Sequence, residues 1–92
     1  RSLICEGARV YTNACVAGSI LGADSTAAGG EITASLAGPQ TAAHHQSLLI
    51  AARWPEGCGN VGYGANVGSN HTSRLPDQEI SVGPGVFFGL GC

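Results

Sequence analysis

Val61-Gly62-Tyr63-Gly64-Ala65-Asn66 runs directly into Val67-Gly68-Ser69-Asn70-His71-Thr72, two sextets that each open on a valine followed by glycine. A spacing of six matches neither the turn of an α-helix nor the alternation of a plain strand. It fits a short strand and a tight turn, repeated around a triangular coil. The aliphatic residue fills the interior, and glycine or asparagine near the corners takes the positive φ such turns require. Downstream the period returns in Ile80-Ser81-Val82-Gly83-Pro84-Gly85 and Val86-Phe87-Phe88-Gly89-Leu90-Gly91, with Cys92 opening another sextet. Upstream, Ile4, Val10 and Val16 stand six apart, each followed four positions on by Ala8, Ala14 and Ile20. The same phase carried forward reaches Gly22, Ala28 and Ala34, a weaker set, with Thr26 and Ile32 at the fourth-offset places able to face inward.

Three sextets make a coil of roughly 18 residues, and coils stack at the spacing of paired strands, about 4.8 Å. The expectation is therefore an all-β, left-handed parallel β-helix of hexapeptide-repeat type, a single solenoid domain over residues 1–92 with about five coils. No cap is recognisable, and the chain opens and stops close to repeat boundaries, which suggests a fragment of a longer chain whose exposed ends favour end-to-end association. Two stretches leave the pattern and are expected as loop excursions. One is Gly38 to Asn60, with Gly38-Pro39, His44-His45 and the turn signal Trp54-Pro55-Glu56-Gly57; the other is Ser73 to Glu79. The first, through Leu48, Leu49 and Ile50, is also apolar enough to continue the core in a shifted register.

Only 11% of the residues are charged, the net charge is -2, and the basic residues are four scattered arginines, Arg1, Arg9, Arg53 and Arg74. Phosphate binding draws on clustered cations, so nucleic acid is not an expected partner. The longest apolar run, Ser47 to Ala52, is far too short to cross a bilayer, so a membrane is not expected either. Cys5, Cys15, Cys58 and Cys92 lack C-x-x-C spacing, and buried, reduced thiols in a cytoplasmic protein are the favoured reading over two disulfides.

His44, His45 and His71 all sit in or beside the breaks, where solenoids carry function, and an imidazole can act as a general base near neutral pH. They are the candidate catalytic residues. Asn70, Arg74 and Asp77 are the candidate ligand-binding residues, with the planar guanidinium suited to a carboxylate or phosphate. Adjacent His44 and His45 would point to opposite faces of an extended strand and so do not form a metal site together. For each of these polar residues a solvated loop is the plainer alternative.

The stretches His44-His45-Gln46-Ser47-Leu48-Leu49-Ile50-Ala51-Ala52, Trp54-Pro55-Glu56-Gly57 and Gly62 through Arg74 resemble a family of uncharacterised bacterial proteins, several times longer than this chain, that carry a hexapeptide-repeat domain. The resemblance covers roughly residues 30 to 92 and implies the β-helix without implying a reaction. More distantly, the repeat is similar to that of hexapeptide acyltransferases and sugar-nucleotide enzymes. That likeness implies self-association as trimers and a histidine base with acyl-coenzyme A or a nucleotide-sugar as ligand, although fold alone does not fix function. Two functions are carried forward: a scaffold or self-association module, and a transferase-like enzyme domain.

Overall fold

The computed structural model describes residues 1–68 and 80–92. The first coil is β1 (Leu3–Ile4), β2 (Arg9–Val10) and β3 (Cys15–Ala17); the second is β4 (Ile20–Leu21), β5 (Thr26–Ala28) and β6 (Glu31–Thr33). The third holds β7 (Leu36–Ala37), β8 (Ala42–His44) and β9 (Leu48–Ile50), and the fourth β10 (Ala52–Trp54), β11 (Asn60–Val61) and β12 (Asn66–Gly68). Above these lie β13 (Ile80–Ser81) and β14 (Phe87–Phe88). Strands pair only with their counterparts one coil away and always in parallel. The result is three flat sheets, β1-β4-β7-β10-β13, β2-β5-β8-β11-β14 and β3-β6-β9-β12, wrapped around one core. This is an all-β parallel β-solenoid of about four turns, 34 × 25 × 25 Å, with no helix among the described residues.

Each face contributes two inward columns. The larger side chains of one face are Ile4, Leu21, Ala37, Trp54 and Val82, those of the next are Val10, Ala27, Ala43, Val61 and Phe88, and those of the third are Val16, Ile32, Leu49 and Val67. Two residues before most of these stands a small one, such as Ser19, Ser25, Ser47 or Ala65, which lets the chain bend toward the corner while remaining buried; only Ile80 before Val82 and Val86 before Phe88 are larger. Trp54 is fully buried and meets Phe88 edge to face at 5.5 Å. Its large ring fits because the small inward position two before Val61 is Gly59, where a Cβ would collide with the indole.

Each described corner has at least one left-handed residue, and these stack in columns: Gly7, Asp24, Gln40, Cys58 and Gly85 at one edge, Asn13, Gly29, Gln46, Gly64 and Gly91 at the next, Gly18, Ala34 and Ala51 at the third, with Gly57 and His45 as second left-handed residues beside Cys58 and Gln46. Asparagine, aspartate and glycine are the residues that tolerate this conformation best; alanine and glutamine are held in it by the ladders on either side.

Three expectations are corrected. The interior does not keep a strict phase of six. Five residues separate Val16 from Leu21, so Leu21 and Ala27 point inward where a fixed sextet would have put Gly22 and Ala28. Ile20 is exposed, and Ala34 is a corner. Ile32, by contrast, faces inward as its fourth-offset place allows. Second, Gly38 to Asn60 is not an excursion. It contains β8, β9 and β10 and leads into β11, the shifted-register continuation, because its faces run five, six and seven residues and so hide the period. Third, the cysteines are free but not buried: Cys15, Cys58 and Cys92 are exposed and Cys5 is half-buried. In β3 it is Val16 that faces inward, which turns the adjacent Cys15 out. The other expected excursion, Ser73 to Glu79, lies outside the described residues.

Candidate functional site

The edge between the second and third sheets carries a group of polar side chains that the fold does not use for its core. Its local sequence decides its shape. From Val10 to Val16, from Ala43 to Leu49 and from Val61 to Val67 the corner takes six residues, but from Ala27 to Ile32 it takes five. The residue that the second coil omits is the one that Thr12, His45 and Tyr63 supply in the first, third and fourth. A shallow notch of about 340 Å³ results, lined by Asn13, Ala28, Gly29, His45, Gln46 and Tyr63.

Its upper wall carries one left-handed residue more than the corner column requires. His45 and Gln46 are consecutive non-glycine residues with positive φ, 57° and 62°. Both drop their N–H groups onto the shortened coil below, His45 to the Ala28 carbonyl and Gln46 to the Gly29 carbonyl, each at 2.9 Å. The two bonds hold a geometry that ordinarily costs about 1–3 kcal/mol per residue and that tends to occur at functional sites. Above them the Tyr63 hydroxyl donates to Gln46 Oε1 at 3.3 Å, which orients the carboxamide while Tyr63 itself stays 56% exposed.

The histidines part company here. His44 is half-buried on the outer face of β8, its Nε2 2.7 Å from the Thr26 hydroxyl of the coil below. His45 is exposed at the corner. Their rings meet edge to face at 5.8 Å instead of pointing to opposite faces, because the left-handed residue at 45 ends the strand's alternation. His71, Asn70, Arg74 and Asp77 lie outside the described residues. Among the described residues no three His, Cys, Asp or Glu side chains gather around a common point as metal ligands would. Nor is any described helix long and apolar enough to cross a membrane.

Elsewhere the surface offers less. A second groove, near Gln40, Cys58, Gly59 and Phe87, has the Cys58 thiol donating to Gln40 Oε1 at 3.4 Å. On the second sheet Arg9 donates to the Tyr11 hydroxyl at 3.4 Å, and that bond keeps its guanidinium still more firmly protonated than usual. The sequence drew attention to His44 and His45 but not to Asn13, Gly29, Gln46 or Tyr63. The signal that finds them is the five-residue corner, visible once coils are aligned on Val10, Ala27, Ala43 and Val61.

The chain matches no family model and no solved structure. It is 36% identical over 60 residues, 65% of its length, to an uncharacterised protein of Treponema pallidum, and the matched segment is 8% of that protein. The relative is thus many times longer than this chain and carries no stated activity.

Proposed function

We propose that this chain is a scaffold segment, a left-handed hexapeptide-repeat solenoid whose end faces seat against a further parallel coil and, in the 92-residue chain itself, against a second copy. The observation that carries this reading is the exposure of core-type side chains at the ends. Ile4 and Val10 occupy the same inward columns as Leu21 and Ala27, yet they are 43% and 44% exposed, against 0% and 3% for those two. At the opposite end Val86 and Phe88, which face inward, are only half-buried, and Phe87 and Leu90 beside them on the outer surface are 65% and 77% exposed. Both ends also present strand edges that a parallel partner can extend. The short faces and the left-handed residue at each corner support the hexapeptide-type winding.

The transferase-like reading draws less support. His44 already engages Thr26, and among the described residues no arginine lines the notch beside His45, whereas acyl-coenzyme A or a nucleotide-sugar brings several phosphate charges to be met. Sedimentation equilibrium tests the scaffold reading. The mass of the parent chain is expected to rise with concentration, and Leu90→Lys, on a side chain that supports no core, is expected to lower it at least tenfold in association constant. Val10→Asp at the other end should do the same if its circular dichroism still reports strand. A chain that stays monomeric to about 1 mM, a concentration at which even a weak contact of roughly 4 kcal/mol is populated, overturns the proposal.

A further inference from the structure

The geometry points to the notch at the shortened second corner as a binding site for a neutral saccharide. Three independent features converge there. The first is shape: the second coil omits the residue that Thr12, His45 and Tyr63 supply in its neighbours, and Gly29 at the corner leaves the floor without a side chain, so the depression is built into the backbone. The second is preorganisation. His45 and Gln46 are held in consecutive left-handed conformations by N–H bonds to Ala28 and Gly29, and Gln46 is further fixed by the Tyr63 hydroxyl. A backbone wall and a carboxamide held in advance lose little freedom on binding, which matters for a ligand that offers only weak individual contacts.

The third feature is chemistry. The lining holds two carboxamides, Asn13 and Gln46, an imidazole, His45, and a tyrosine ring and hydroxyl, with no Asp, Glu, Lys or Arg among them. Carboxamides present donors and acceptors side by side, as vicinal hydroxyls require, and Gln46, whose Oε1 is taken by Tyr63, keeps its NH₂ to donate. The exposed tyrosine supplies an amphipathic aromatic face for the C–H surface of a pyranose ring. A phosphorylated or carboxylated ligand would find no arginine or lysine among the described lining residues, and a wholly apolar one would strip the water from several polar groups without replacing it. A ring that is neutral, rich in hydroxyls and apolar on one face satisfies all of them. The site lies on the flank of the rod, away from its end faces, so it stands or falls separately from the association proposed above.

The test is titration of the 92-residue chain with cellobiose, maltotriose and N,N′-diacetylchitobiose, followed by amide shifts in ¹H–¹⁵N spectra. At least one is expected to saturate the Gly29, His45 and Tyr63 signals with Kd of about millimolar order, the range of a small ligand in an open site. Tyr63→Ala, at a side chain that supports no core, is expected to raise Kd about tenfold or more with the rest of the spectrum unchanged. Gly29→Asn fills the floor with a residue that tolerates its φ of +68° and is expected to do likewise. The inference is overturned if no neutral saccharide shifts these signals up to about 50 mM, some tenfold above such a Kd. It is also overturned if the shifts persist unchanged in both variants, or if only an anionic sugar binds.

Discussion

Ala51 turns the corner between β9 and β10 with φ 52°, in the column that Gly18 opens and Ala34 continues. An L-residue with a Cβ pays about 1–2 kcal/mol for that conformation, whereas glycine pays almost nothing in the folded chain but loses more entropy on folding. The first effect exceeds the second, so Ala51→Gly is expected to stabilise the protein by about 0.5–1 kcal/mol, a rise in melting temperature of about 2–8 °C for a domain of this size. Differential scanning calorimetry reads it directly, and a lower melting point would mean that the ladder carries no strain at this corner. His45 is a different case. Its left-handed backbone has no counterpart at Thr12 or Tyr63, which take the same place in other coils, so its strain follows from the short coil beneath and not from the repeat.

At the edge between the third and first sheets, hydroxyls take over from the backbone ladder. Ser2 Oγ accepts the Ser19 N–H, Ser19 Oγ accepts the Ser35 N–H, and Ser35 Oγ accepts the Ala52 N–H, each at 3.1 Å. Ser35 Oγ sits 2.8 Å from the Thr33 carbonyl and 3.2 Å from that of Leu49, so one side chain ties three segments across three coils. Ser35→Ala leaves the Ala52 N–H without that partner in a buried place, and is expected to cost about 1–3 kcal/mol. Urea unfolding checks this; a loss below about 0.5 kcal/mol would show the ladder to be incidental. None of this was visible in the sequence, because a serine two places before an aliphatic residue reads as a filler in a sextet. What was visible is the architecture. Val10, Val16, Val61 and Val67 announce the solenoid by their spacing, and Ile32 shows its inward role even where the phase is weak. The lost half, from Leu21 to Asn60, failed for one reason: corners of five to seven residues let each coil keep its pairing while the count drifts, and a fixed period cannot follow. The notch went unseen for the same reason, since it is a one-residue difference between adjacent coils.

Taken whole, the molecule is held by neighbours only: each coil bonds to the one before and the one after, and the core is continuous along the axis. Its ends therefore differ from its middle in burial more than in sequence, as Ile4 against Leu21 shows, and the concentration-dependent mass expected above is the molecular form of that difference. The parallel ladder also has a mechanical meaning. Strands lie across the rod, so tension applied through the two termini loads the bonds of one terminal coil at a time and not a whole sheet in shear. A coil such as the one between Leu3 and Ile20, seventeen positions apart, would release roughly 55 Å of chain as it peels away. Pulled in an optical trap, the rod should yield by a staircase of such steps at low force, and would serve as a compliant tether, lengthening coil by coil where a sandwich of the same size would hold and then fail at once.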